Sequence, residues 1–263
     1  MIKINISALD FFHFPDNTCH INCQYDVFKT SPQLIEWYYE DDAEVFRVYA
    51  CTKHLQNLGY EVALYLPYIP NARMDRTKSE TEVFTLKWFA DLINSLNFTS
   101  VVVLDPHSNV SPALFDRVVI AEPANHIARA IAKSNPDVIF FPDEGAMKRY
   151  TDLIFNDCLG RAFGMKKRDW KTGTIQGLDI YGDNVAGKNV LIVDDICSKG
   201  GTFYHSARKL KEAGAASISL YITHCEHTIF DGELLKDNGL IDKIYTTDSL
   251  FHSTHEKIEV FEV

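Results

Sequence analysis

Hydrophobic residues fall into two recurring patterns along this chain. Short continuous apolar runs, the mark of strands buried on both faces of a sheet, occur within Glu61 to Leu66, Ser100 to Leu104, Asp137 to Phe141 and Val190 to Val193. Between them lie longer stretches in which apolar residues recur every three or four positions, as on amphipathic helices. These are Ala43 to Leu58, ended by Gly59, then Val83 to Leu96, Ala124 to Lys133, Glu144 to Leu153, and Phe203 to Ala213, closed by Gly214. Ser79-x-x-Glu82 has the form of a capping box ahead of the second. Strand and helix patterns in alternation predict an α/β protein with parallel sheets between helices. The alternation restarts after Glu122-Pro123, so two domains are expected, 1–122 and 123–263, with strand ends facing a common cleft. Gly160 to Gly187, rich in Gly, Lys and Arg, shows no clear period and is expected to be a long mobile loop with a short hairpin.

Composition narrows the choice of partner. The 263 residues are 46% hydrophobic and carry a net charge of −10, which argues against nucleic acid or an anionic membrane as the main partner. Any anion site must be local. No apolar run is long enough to span a bilayer and the polar start lacks a signal-peptide pattern, so a cytoplasmic location is expected. The six cysteines include no C-x-x-C pair and are expected to be reduced. Cys19-His20-x-x-Cys23 has unusual spacing for a zinc site, and His224-Cys225-Glu226-His227 falls at a strand end where neighbours point apart.

Candidate chemistry concentrates in VLIVDDICSKGGT, Val190 to Thr202. A buried strand run ends in Asp194 and Asp195, and Ser198-Lys199-Gly200-Gly201-Thr202 opens the following helix. In open α/β sheets, ligands sit beyond the carboxyl ends of the strands. Glycines admit close backbone approach, and the N–H groups of Lys199 to Thr202 can converge on an anion at the positive end of the helix. The two acids suit hydroxyl donors, of which a ribose offers a neighbouring pair. The stretch therefore reads as a sugar-phosphate site, against the plainer alternative of a strand leading into a solvated helix start.

Further clusters fall at strand ends or in loops. Tyr65 to Tyr68 leads into Asn71-Ala72-Arg73-Met74-Asp75-Arg76, Asp105-Pro106-His107-Ser108 follows a second strand, Pro142-Asp143-Glu144-Gly145 follows a third, and Lys166-Lys167-Arg168 lies in the expected loop. Singly, each admits a plain reading as an ion pair, a capped turn or a solvated charge run. Together with Val190 to Thr202 they resemble the ribose-phosphate diphosphokinase family, also called PRPP synthetases, over nearly the whole chain. The family's A-R-x-D-R is matched by Ala72 to Arg76, its D-x-H-x by Asp105 to Ser108, and its S-P-D-x-G-x-x-x-R by Pro142, Asp143, Gly145 and Arg149. Its K-R-R loop is matched by Lys166 to Arg168, its V-D-D by Val193 to Asp195, and its threonine-histidine strand end by Thr223-His224.

The resemblance implies two tandem phosphoribosyltransferase-like domains, each a mainly parallel sheet flanked by helices, the first serving ATP and the second the sugar phosphate. It implies transfer of the β,γ-diphosphoryl group of ATP to the anomeric 1-hydroxyl of a ribose 5-phosphate moiety, releasing AMP. Lys166 and Arg168 would be the catalytic pair that stabilises charge on the transferred group. Phe14, Asp16, Arg73, Asp75, Arg76 and His107 would hold ATP, and His107 with Asp143 would hold Mg²⁺. Asp194 and Asp195 would take the ribose hydroxyls, and Ser198, Lys199, Gly200, Gly201 and Thr202 the phosphate. In the family the nucleotide loop comes from a neighbouring subunit, which implies a homo-oligomer, at least a dimer.

Departures from the family pattern bear on the acceptor. Where the family has D-T-x-G-T, Ser198 to Thr202 loses an acid and gains a cation, about two units of positive charge beside the phosphate. That favours a more anionic or extended group. The family's F-x-D-G-E has lost its Gly-Glu to Asn17-Thr18, Ala146 replaces the second glycine after Asp143, and the chain is shorter than typical members. Two acceptors stay open: ribose 5-phosphate, giving PRPP, and ADP-ribose, giving ADP-ribose 1-diphosphate for NAD or nucleotide synthesis. Two competing readings are a non-catalytic regulatory relative, which has no use for Lys166 and Arg168, and a PRPP-consuming phosphoribosyltransferase, which leaves Arg73 to Arg76 unexplained.

Overall fold

The computed structural model spans residues 1–263 and describes all but 6, 24–31, 156–157, 169–174 and 237–238, with backbone only for 166–168 and 175–178. It divides into two compact units, Met1–Glu122 and Pro123–Val263.

Unit 1 comprises β1 (Ile2–Ile4), β2 (Ser7–Ala8), β3 (Asp10–His13), β4 (Cys19–Asn22), β5 (Gln33–Trp37), α1 (Ala43–Asn57), β6 (Val62–Leu66), α2 (Thr85–Ser95), β7 (Val101–Leu104), α3 (Val110–Leu114) and β8 (Val118–Ala121). Its sheet runs β2-β1-β5-β6-β7-β8, with β5 to β8 parallel and β1 antiparallel to both neighbours, while β3 and β4 form a separate hairpin. Alternation along the strands decides the packing. Ile35, Trp37, Leu64, Leu66, Val101 and Val103 join Val48, Cys51 and Leu55 of α1 and Leu86, Phe89 and Ile93 of α2 in one core, leaving Leu34, Glu36, Tyr65 and Val102 half-buried. The expected capping box does not start α2. Glu82 accepts from the Lys78 N–H at 2.6 Å rather than from Ser79, and Glu82 N donates to the Ser79 carbonyl at 3.3 Å. Ser79 to Glu82 thus closes a turn of its own, and the helix begins after Phe84.

Unit 2 comprises α4 (Ala124–Ser134), β9 (Val138–Phe141), α5 (Glu144–Tyr150), β10 (Gly160–Arg168), β11 (Ile175–Gly182), β12 (Asn189–Cys197), α6 (Gly201–Glu212), β13 (Ser217–Cys225), β14 (Lys243–Thr247) and β15 (Ile258–Phe261). The sheet order is β11-β10-β9-β12-β13-β14-β15, parallel except for β11. Here both faces are covered. Val138, Phe140, Val190, Ile192, Leu220 and Ile222 face Phe203, Ala207 and Leu210 of α6, and Ile139, Phe141, Leu191, Val193 and Tyr221 face Ile127 and Ala130 of α4 and Tyr150 of α5. This is why these strands carry unbroken apolar runs.

Gly160 to Gly187 differs from the expected loop. β10 and β11, nine and eight residues long, form an antiparallel ladder from Ala162 to Arg168 on the first strand, with a register shift between Lys167 and Arg168. Low strand propensity in Gly and Lys hides this, because the edge of β9 supplies the pairing that local sequence does not. Lys166 to Arg168 therefore lie on a strand; their side chains fall outside the described residues.

Candidate functional site

Strand β12 does not stop at the two acids. It stays paired with β13 through Cys197, so Asp194 and Asp195 sit within a ladder rather than at a free end. They are consecutive and in contact, Asp195 N donating to Asp194 Oδ1 at 3.0 Å, yet their surroundings differ. Asp195 is 5% exposed, and its Oδ2 lies 3.0 Å from Nη1 of Arg149. Arg149 comes from α5, whose N-cap is Asp143: the Asp143 carboxylate accepts from Ala146 N at 3.1 Å. Burial, then the charge of Asp195 and, more weakly, that of Asp143 push the Asp194 carboxyl well above the usual carboxylate range. The two acids read from sequence as equivalent are thus distinct: Asp195 is held against a cation and Asp194 tends to keep its proton. Such a pair can meet two neighbouring hydroxyls, one acid accepting and the other able to donate as well.

The loop after β12 is set by backbone geometry. Gly200 is the N-cap of α6 with φ 78, and a β-carbon there would lie 2.2 Å from Cδ1 of Leu234. Gly232 packs from the other side, where a β-carbon would fall 1.9 Å from the Lys199 carbonyl oxygen. By contrast Gly201 faces open space, and Lys199, Gly201 and Thr202 are exposed. No side chain caps α6, so its first N–H groups are available to an anion. Ser198 points to a different neighbour. Its Oγ is 3.2 Å from Thr228 Oγ1, which donates to Glu226 Oε2 at 3.0 Å. The gain in positive charge expected from Ser198 and Lys199 is therefore partly offset by Glu226.

Behind the loop, His224 is buried, with Nδ1 2.7 Å from Ser249 Oγ, and Thr247 Oγ1 donates to the Thr223 carbonyl at 2.7 Å. Sequence patterns gave no signal for Ser249, Thr247, Thr228 or Glu226. Arg149 had one, its place in the match to S-P-D-x-G-x-x-x-R with Pro142, Asp143 and Gly145.

In unit 1 the corresponding groups lie on the surface. Arg73 and Arg76 are exposed, and Arg76 Nε is 3.4 Å from Asp75 Oδ1 with 81% of its side chain in solvent. The preceding turn is fixed by Asn71 at φ 63 and by Met74 N donating to the Asn71 carbonyl at 2.8 Å. Asp105 is buried at φ 42 and sends its N–H to the Ala121 carbonyl at 3.1 Å, leaving the half-buried His107 on the turn before α3. Phe14 and Asp16 occupy the tip of the β3–β4 hairpin. The Thr18 N–H and hydroxyl both donate to Asp16 Oδ1, at 3.0 and 2.7 Å, and hold its carboxyl below the usual range. The Phe14 ring, 45% exposed, stands edge-on to Phe12 and His20.

His107 belongs to unit 1 and Asp143 to unit 2. Among the described residues no group of three or more His, Cys, Asp or Glu side chains forms a cage for a metal ion. Asp143 supplies a carboxylate of the kind that binds Mg²⁺, an ion that keeps its waters and is commonly held through one or two carboxylates plus substrate phosphates. Among the described residues no helix is long and apolar enough to cross a membrane.

Parallel sheets with an acid pair and a glycine-containing loop at the start of α6 define a phosphoribosyltransferase-type α/β protein. The model of the phosphoribosyl transferase domain matches residues 119–229. Ribose-phosphate pyrophosphokinase of Sulfolobus acidocaldarius is 26% identical over 256 residues, 95% of this chain and 87% of that protein. The enzyme of the same name from Saccharolobus solfataricus is 26% identical over 215 residues, covering 80% and 74%, and that from Aquifex aeolicus 30% identical over 213 residues, covering 77% and 66%. The crystal structure of phosphoribosylpyrophosphate synthetase from Mycobacterium smegmatis shares the fold at a TM-score of 0.76 and 19% identity, over 97% of this chain and 86% of that one. The chain belongs to the ribose-phosphate pyrophosphokinase (PRPP synthetase) family as a divergent member, with two tandem phosphoribosyltransferase-like domains, and is by class a diphosphotransferase.

Proposed function

We propose that the protein transfers the β,γ-diphosphoryl group of ATP to the anomeric hydroxyl of a ribose 5-phosphate moiety and releases AMP. The observation that carries this reading is the Arg149-supported acid pair Asp194 and Asp195 next to the uncapped loop Ser198 to Thr202. The acids take the ribose hydroxyls, and the loop N–H groups with Lys199 take the phosphate. Attack of the sugar O1 on the β-phosphorus forms one P–O bond and breaks the bond from that phosphorus to the α–β bridging oxygen, which leaves on AMP; the hydroxyl proton is released. The protein's task is to align the reactants and to neutralise charge. Arg73, Asp75, Arg76 and His107 hold ATP, with Phe14 and Asp16 supplied at a hairpin tip that a second subunit completes, so the active form is at least a dimer. Lys166 and Arg168 stabilise the transferred group. His107 and Asp143 would each serve as a ligand for Mg²⁺, and the chemistry the ion would supply is neutralisation of phosphate charge.

The acceptor is ribose 5-phosphate or ADP-ribose. Lys199 in the loop supports the second, whose 5-phosphate is extended by AMP. Incubation with ATP, Mg²⁺ and each acceptor, followed for AMP, tests the reading. AMP with one of them is expected, and Lys166→Ala is expected to lower kcat about 10²- to 10³-fold. No AMP with either overturns it, and diphosphate release from PRPP plus a base would make the protein a phosphoribosyltransferase instead.

A further inference from the structure

Three polar side chains stand in series behind the acceptor loop: Ser198, Thr228 and Glu226, with contacts of 3.2 and 3.0 Å. A carboxylate only accepts, and a threonine hydroxyl has one proton to give. Thr228 therefore spends its proton on Glu226, and the remaining contact has a single polarity, with Ser198 donating to Thr228. The hydrogen of Ser198 is consumed inside the protein, and the serine can offer a ligand only lone pairs. The arrangement is built in. Thr228 lies in the 3₁₀ turn His227–Asp231, and the close packing of Gly232 on the Lys199 carbonyl ties the end of that turn to the loop.

We propose that the Glu226–Thr228 relay makes Ser198 a specificity-determining position, tuning the loop toward a phosphate that carries a second substituent and away from a terminal phosphate monoester. The inference rests on the sugar-phosphate reading of the loop. A terminal monoester is a dianion whose three free oxygens all demand donors, and it meets a serine oxygen turned lone pair outward with a carboxylate behind it. A phosphate inside a diphosphate linkage has a single charge and two free oxygens, so Lys199 and the N–H groups of the loop serve it without the serine. Thr228 and Glu226 are positioning residues, acting on the ligand only through Ser198.

The test is calorimetric titration of ribose 5-phosphate and of ADP-ribose, without ATP, into the full-length protein and two variants. Thr228→Val cuts the relay and frees the Ser198 hydrogen. Glu226→Gln provides an amide N–H that donates to Thr228 and reverses the series. Both variants are expected to tighten ribose 5-phosphate by about fivefold or more, as one hydrogen bond to a charged group allows, while ADP-ribose changes by less than about twofold on the same scale. Adding Ser198→Ala to Thr228→Val should erase the gain, since the coupling runs through that one hydroxyl. A merely structural role would weaken both ligands together. That result, an unchanged ratio of the two affinities, or wild-type protein that binds neither ligand overturns the proposal. Wild-type protein that binds acceptor but releases no AMP overturns the reaction and leaves this inference standing.

Discussion

Asp195 is withdrawn from solvent and meets Arg149 at 3.0 Å, whereas Arg76 meets Asp75 at 3.4 Å with 81% of its side chain exposed. The candidate residues of the two units thus hold charge in opposite ways. Unit 2 fixes its groups by burial and by backbone: the acids lie within a paired strand, and the loop is locked between Gly200 on Leu234 and Gly232 on the Lys199 carbonyl. Unit 1 presents its side chains from two turns, one after β6 with Asn71 and one after β7 with Asp105 at positive φ. A ligand arriving at unit 2 finds dipoles already aimed. One arriving at unit 1 must order the solvent-exposed Arg76 itself, at an entropic cost that charge-assisted bonds have to exceed. Substitutions should therefore act on fold and ligand together in unit 2 and on ligand alone in unit 1.

The strongest way to break this contrast is Gly200→Ala. A methyl group there meets Leu234 at 2.2 Å on a backbone at φ 78, which costs about 2–5 kcal/mol from left-handed strain and overpacking. The expected outcome is a large rise in acceptor KM with a lower melting temperature, partly relieved by adding Leu234→Ala. Unchanged acceptor KM would mean that the loop does not depend on its buttress.

Next in size is Asp194→Asn. The folded-state pKa of Asp194 is raised by burial and by Asp195, so between the ordinary carboxylate range and that raised value the folded protein binds more protons than the unfolded chain. Its contribution to stability is present at low pH and is lost as pH rises through this window. Removing the charge should raise the melting temperature at neutral pH by about 2–4 °C for each kcal/mol recovered, and the difference from wild type should vanish in acid. Acceptor binding should fall about 10- to 100-fold, the worth of a hydrogen bond to a charged group. Stability gained while affinity is lost would mark a residue kept for function. Stability lost at neutral pH would show that Asp194 is paired in a way that offsets its burial.

Where sequence was a good guide and where it was not has the same physical origin. Apolar runs such as Val138 to Phe141 announce their strand because both faces are covered, and the strands that lead to Asp105 and Asp143 and that carry Asp194 fall on the apolar runs. A short hairpin is expected within Gly160 to Gly187, but its length in β10 and β11 is hidden because pairing to β9, a tertiary term, outweighs the low propensity of its Gly and Lys residues. Ser79-x-x-Glu82 misled because a local motif forms its turn wherever the backbone allows, without obliging a helix to start there. The inequality of Asp194 and Asp195 was invisible, since identical neighbours in sequence part company only when Arg149 reaches one of them. Thr228 and Glu226 reach Ser198 from about thirty positions away through the pairing of β12 with β13, which no short motif encodes.

The smallest predicted effect is the sharpest test of unit 1. Arg76 keeps 81% of its side chain in solvent although Asp75 keeps only 15%; with one partner so exposed the pair is worth about 0–1 kcal/mol, so Arg76→Ala should leave the melting temperature nearly unchanged. If Arg76 holds a phosphate of ATP, the loss of a charge-assisted bond should raise the KM for ATP about tenfold at unaltered acceptor KM. Arg76→Lys separates charge from geometry: a compact ammonium keeps the charge but loses the planar fork, so it should recover part of the deficit, and more of it at low ionic strength where screening is weak. Full recovery would show that only the charge is read. A parallel rise in both substrates' KM, or a marked fall in stability, would mean that Arg76 supports the fold and that nucleotide binding belongs to other residues of the turn.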